Sequence, residues 1–136
     1  MRRYVVVVTA VLGAVLSGCS ADAEPEPEVA AVCTAADALR NSLTALGDVQ
    51  VVEDGVDALA SAWTAVQDAW AQLADDAGAE YGDQVDGVQA AADGVESALD
   101  SAQDNPSAAT LGTAAAAVGV FRQDAGALVD EVRSTC

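Results

Sequence analysis

The sequence predicts an all-α protein, an antiparallel up-down four-helix bundle. From residue 29 onward the apolar residues recur at alternating spacings of three and four, which puts them on one face of a helix with 3.6 residues per turn. That recurrence is broken at Gly47, at Gly78 and at Asn105-Pro106, leaving four segments joined by short connections. Short connections between helices make sequence neighbours antiparallel.

Each segment carries its own seam. The first runs Val29, Val32, Ala36, Leu39, Leu43 and Leu46, ending at Gly47. The second is Val52, Val56, Leu59, Trp63, Val66, Trp70, Leu73 and Ala77, ending at Gly78. The third is Tyr81, Val85, Val88, Ala92, Val95, Leu99 and Ala102. Asn105-Pro106 stops the third segment and opens the fourth, since Asn suits a helix cap and Pro the first helical position. The fourth seam is Leu111, Ala114, Val118, Phe121, Ala125, Leu128 and Val132.

Matching the three longer segments in register sets Leu59, Leu99 and Leu111 in one layer. Trp63 then falls beside Val95 and Ala114, and Trp70 beside Val88 and Phe121. A large ring opposite a small residue is what filling a core at native density requires. Two tryptophans one heptad apart could also line a pocket for an apolar or glycan ligand, but at seam spacing they read first as core. Glycines recur at heptad spacing off the seams, at Gly87 and Gly94 and at Gly112, Gly119 and Gly126. Each costs about 1 kcal/mol against alanine in a helix. Two readings account for them: close approach of a backbone or partner helix, or drift in a composition rich in Ala, Gly, Val and Asp.

The first 18 residues have a different character. Met1-Arg2-Arg3 is a positive start, and Tyr4 to Leu16 is an apolar run without charge. The run is too short for a bilayer-spanning helix, which needs about 20 residues, and it fits a secretory signal. Leu16-Ser17-Gly18-Cys19 matches the lipobox, an aliphatic residue and two small ones before an obligatory cysteine. The chain thus resembles bacterial lipoproteins. The resemblance implies a lipoprotein signal peptide over residues 1–18, cleavage after Gly18 and lipidation at Cys19, with the protein held at the extracytoplasmic face of the cell membrane. One acyl chain anchors only marginally, whereas two or three hold stably. Residues 19–28 follow as an acidic, proline-containing tether reaching up to about 28 Å, and residues 29–136 form the bundle domain.

With Cys19 lipidated, Cys33 and Cys136 remain, in a compartment where disulfides persist. A bridge between them is the leading reading; two free thiols, or a bridge to another chain, are the alternatives. An even number of antiparallel helices returns the end of the fourth to the start of the first, so the two cysteines can meet. Counted from such a bridge the first helix is shorter than the others and ends below the far end of the bundle. The sequence therefore predicts an extended connection over residues 47–53, with Val49, Val51 and Val52 covering the upper core.

Composition excludes several functions. Beyond residue 18 there are 22 acidic residues and three bases, Arg40, Arg122 and Arg133, with no His and no Lys. Such a surface repels phosphate backbones and anionic headgroups, so nucleic acid is not an expected partner. There is no His for general-base work and no Lys for a Ser-Lys pair or Schiff base. No seam position is charged, which leaves every carboxylate in water, whereas glycosidase chemistry needs one desolvated in a cleft. Neither an enzyme nor a resident cofactor is expected. Glu80, Asp83 and Asp86 lie near one turn, but no segment has EF-hand spacing, and no metal site is expected.

Taken whole, the lipobox, Cys33, Asn105-Pro106-Ser107 and Ser134-Thr135-Cys136 resemble the small secreted helical lipoproteins of high-GC Gram-positive bacteria. No activity comes with that resemblance. The expected function is that of a membrane-anchored, non-catalytic contact or adaptor component of the envelope, with a protein of the envelope as partner. The alternative is a ligand-binding or sensing bundle for a small apolar molecule or lipid. A filled core beside an exposed glycine-rich face favours the first; a cavity beside the alanine layers favours the second.

Overall fold

The computed structural model describes residues 27–136. The expected signal peptide over residues 1–18, the expected lipidation at Cys19 and the expected tether as far as Glu26 lie outside the described residues. Four helices follow in order, α1 (Pro27–Asp48), α2 (Val51–Ala77), α3 (Gly82–Asp104) and α4 (Ala108–Ser134). α1 packs on α2 and α4, α3 packs on α4 and α2, and α2 meets α4 across the diagonal. The bundle expected from the seams is therefore the fold. At 22 residues α1 is the shortest helix.

The start of α1 corrects the tether boundary. Pro27 and Glu28, assigned above to the tether, form its first turn. Proline is preorganised for the first helical position, and a carboxylate there meets the positive end of the helix dipole.

The core is the set of seams, closed from four sides. Ala36, Leu39, Leu46, Val66, Leu73, Val95, Phe121 and Val132 retain at most 1% of their surface. Ala35, Ala98 and Val129, off the predicted seams, are buried with them. Each helix touches two or three others, so the apolar stripe widens beyond a two-helix seam. Val29, at the open end of α1, is 38% exposed.

The connection between α1 and α2 differs from the expected extended stretch over residues 47–53. Gly47 and Asp48 complete α1, only Val49 and Gln50 lie outside helix, and Val51 to Asp54 form a single turn. Hydrogen bonding explains the turn. The Gln50 carbonyl accepts from the N–H groups of Glu53 and Asp54 at 2.9 and 2.7 Å. The Asp54 carboxylate in return accepts from the Gln50 N–H at 3.0 Å. An extended backbone here would leave those groups to water. The turn keeps Val49 and Val51 against the core but rotates Val52 outward, where it is 91% exposed rather than covering the core.

Gly55 ends that turn with φ 84° and ψ 170°, a conformation that side chains resist, and the long run of α2 begins behind it. Gly55→Ala is therefore expected to lower the unfolding free energy by about 1–3 kcal/mol. Gly94→Ala, in α3 with open space around the added methyl, is expected to raise it by about 1 kcal/mol. Urea denaturation of both variants checks the opposite signs.

At the same end, α4 starts two residues later than Asn105-Pro106 suggests. Ser107 is its cap, accepting from the Thr110 N–H at 3.2 Å while the Thr110 hydroxyl accepts from the Ser107 N–H at 3.0 Å. This reciprocal pair satisfies two end donors that an Asn105 cap would leave open. The Arg122 side chain lies over Gly47: a methyl there would sit 2.5 Å from the guanidinium carbon, and this flexible side-chain end would move aside to admit it. α1 has no base in its last turn, and this arginine of α4 brings positive charge to that helix end.

Candidate functional site

Cys33 and Cys136 are joined as a disulfide, with Cα atoms 6.0 Å apart. The bridge and the turn after α2 lie at one end of the bundle, since Cys33, Ala79, Glu80 and Thr135 line one cleft. Trp63 and Trp70 are core residues, 4% and 5% exposed. Their surroundings differ from the expected layers: Trp63, rather than Trp70, meets Phe121, edge to face with ring centroids 4.8 Å apart. Trp70 is held toward α3, where its indole N–H donates to Gln89 Oε1 at 2.9 Å. Gln89 Nε2 donates in turn to Asp93 at 3.0 Å. The Trp63 indole N–H is the one buried side-chain polar atom without a hydrogen-bond partner among the described residues.

No charged or polar residue is buried among the described residues. Glu80, Asp83 and Asp86 do not gather into a group able to hold a metal, and neither do other His, Cys, Asp or Glu side chains among the described residues. Arg133 pairs with Asp37 at 3.4 Å across α4 and α1, with both side chains in solvent, a contact worth at most about 1 kcal/mol. Gln67 donates to Glu96 between α2 and α3, and Gln84 to Glu131 at 3.3 Å between α3 and α4. These contacts stitch the polar faces without desolvating a carboxylate.

Two surface features stand out. The first is the cleft at the disulfide end, about 560 Å³ in volume, between the first turns of α1, the end of α2 and the turn leading to α3. The acids Glu28, Asp75, Asp76 and Glu80 line it together with the apolar Val29 and Val32 and with Tyr81. The sequence groups Glu80 with Asp83 and Asp86 near one turn; the fold also sets it with Asp75 and Asp76 at the end of α2. Only the antiparallel return of the chain brings Glu28 to the same place, so local spacing gave no signal of the cleft.

The second feature is the outer face of α4. From Asn105 to Gln123 the chain carries no acid, and Arg122 is its only charge. Gly112 and Gly119 open onto empty space, and Val120 is 55% exposed. Gly87, Gly94 and Gly126 likewise meet nothing within 4 Å, so none of the five glycines serves a close approach inside the bundle. No helix among the described residues is long and apolar enough to cross a membrane. No family model, curated protein or solved structure matches this chain.

Proposed function

We propose that this protein is a non-catalytic contact module of the cell envelope, held at the extracytoplasmic membrane face by lipid on Cys19 and binding an envelope protein through the outer face of α4. The observation that carries the reading is the acid-free stretch from Asn105 to Gln123, whose one charge is Arg122, with Val120 half exposed on an otherwise strongly acidic domain. Here the inner side is covered by the core and the outer side is open. A partner helix can approach closely over Gly112 and Gly119, where no side chain intervenes. Against the alternative of a small apolar molecule between the helices, the seam residues beside the alanine layers are closed to solvent: Ala92, Ala114 and Ala125 retain at most 3% of their surface.

A photo-crosslinking residue at Ala116, on this face, is expected to capture a reproducible partner from intact cells, while the same residue at Asp93 on α3 captures none. Val120→Glu, which puts an unpaired carboxylate into the contact, is expected to lower the Ala116 yield at least about tenfold. Equal capture from both positions, or capture indifferent to Val120→Glu, would remove the basis of the contact reading. Mass spectrometry of the membrane-extracted protein checks the anchor separately: a bare Cys19 thiol or an uncut leader overturns the placement.

A further inference from the structure

We infer that this protein associates with copies of itself in rows along the membrane, the α1–α4 side of one copy meeting the α2–α3 side of the next. The inference uses the anchor of the proposed function but not its α4 contact. It starts from the three bases. Arg133 of α4 pairs with Asp37 of α1 at 3.4 Å, and Arg122 of α4 lies over Gly47 of α1. Arg40 follows Asp37 by three residues and precedes Gly47 by seven, spacings that keep it on the same flank of α1. Every base beyond residue 18 therefore lies on one side of the bundle, along the furrow between α1 and α4.

Two of the three are unpaired. Arg40 and Arg122 are exposed, and neither forms an ion pair with a carboxylate among the described residues. That is unexpected in a chain where the acids outnumber the bases 22 to 5. The local sequence explains it. α1 carries no acid between Asp37 and Asp48, and the helix neighbours of Arg122 three and four residues away are Val118, Gly119, Ala125 and Gly126. Asp37 itself is engaged with Arg133.

The opposite side carries the complement. α1 and α3 do not pack on each other, so the α1–α4 and α2–α3 sides stand back to back. Asp86, Asp93 and Asp100 are exposed at heptad spacing along α3. Asp93 shares a face with Gln89, which bonds to Trp70 of α2, and with Glu96, which bonds to Gln67 of α2. The acidic row therefore borders the α2–α3 side, where no base lies.

Height agrees as well as sign. Cys33 and Tyr81 line the same end cleft. Arg40 and Gly47 stand seven and fourteen residues above Cys33, while Asp86 and Asp93 stand five and twelve above Tyr81. At a rise of about 1.5 Å per residue both pairs are spaced by about 10 Å and differ in level by about 3 Å, within reach of an arginine side chain. Two copies with the same end toward the membrane thus set Arg40 against Asp86 and Arg122 against Asp93. Because the contacting faces are different and opposite, the contact does not close, and repetition gives a row. Exposed ion pairs are individually weak, and copies of like net charge repel at a distance. The contact therefore belongs to copies concentrated on one membrane at physiological salt, where exposed charges more than about 8 Å apart are largely screened.

A photo-crosslinking residue at Thr44, between Arg40 and Gly47, tests this in the membrane-extracted protein reconstituted in phosphatidylcholine vesicles. The expected product is a dimer of this chain, with the crosslink mapped by mass spectrometry to α3 around Asp86 and Asp93. The same residue at Ala45, turned to the other flank of α1, should give at least about tenfold less. Arg40→Glu with Arg122→Glu, or Asp86→Arg with Asp93→Arg, all exposed and away from the core, should each lower the Thr44 yield at least about tenfold. Mixing these two variants in one vesicle should restore it, since each supplies the charge that the other lacks. The inference is overturned by a product that stays monomeric, by a dimer crosslinked elsewhere, by reversal variants that crosslink unchanged, or by a mixture that restores nothing. A bare Cys19 thiol in the same mass spectra overturns the anchor reading alone.

Discussion

Replacing Cys33 and Cys136 with serine should lower the unfolding free energy by about 4–5 kcal/mol. The bridge closes a loop with a sequence separation of 103 residues, and a loop of about that length loses this much freedom in the denatured chain. The effect is large against a total of about 5–15 kcal/mol for a typical domain. This core has little with which to offset it. Seven of its buried residues are alanine on α1, α3 and α4 (Ala35, Ala36, Ala92, Ala98, Ala102, Ala114 and Ala125), and a methyl buries little area. Urea and thermal denaturation of the oxidised protein, the reduced protein and the double-serine variant make the check. The last two should coincide, with a melting temperature about 15–25 °C below that of the oxidised form. An oxidised midpoint equal to the reduced one would mean that the helices alone carry the fold.

The second large effect should come from Phe121→Ala, at about 3–5 kcal/mol. Phe121 is fully buried on α4 and packs edge to face on Trp63 of α2, the diagonal contact through the middle of the bundle. Its neighbours along the α4 seam, Ala114, Val118 and Ala125, are too small to collapse into the space. Near-UV circular dichroism should lose part of the tryptophan signal as Trp63 loses its partner. Trp63→Phe is the informative comparison. It removes ring volume, but it also removes a buried N–H with no partner, whose desolvation costs about 1–3 kcal/mol. The two terms oppose, so this variant should lose much less than Phe121→Ala. If both variants cost the same, packing alone governs this layer and the indole N–H carries no penalty.

Most of the core was legible because every seam is apolar without exception and every connection is short. Val29 and Val52 departed for local reasons. Val29 sits at the open start of α1, and Val52 is turned outward by a single helical turn held by Gln50 and Asp54. Spacing cannot see that turn, because it depends on a carboxylate reaching back to a backbone N–H. Trp63 meeting Phe121 in place of Trp70 was hidden for a similar reason. Register places both indoles within reach of α4; in the fold Trp63 takes the Phe121 contact while the Trp70 indole N–H bonds to Gln89 on α3. The cleft needed the fold itself, since Glu28 lies almost fifty residues from Asp75 in sequence. The neutral face of α4 was different again. Its glycines were visible as a pattern, but only the open space around them removes the reading of close packing inside the chain.

The bridge has a mechanical consequence as well. Tension entering from the tether passes Pro27 and six residues later reaches Cys33, where the sulfur link opens a second route into the chain. A load held at Val120 in the proposed contact then runs through Cys136 and back over the sixteen residues to Val120, most of them in α4, the shorter of the two arms. Under the proposed function, α1 beyond Cys33, α2 and α3 stand slack beside that line, and a single helix carries the force.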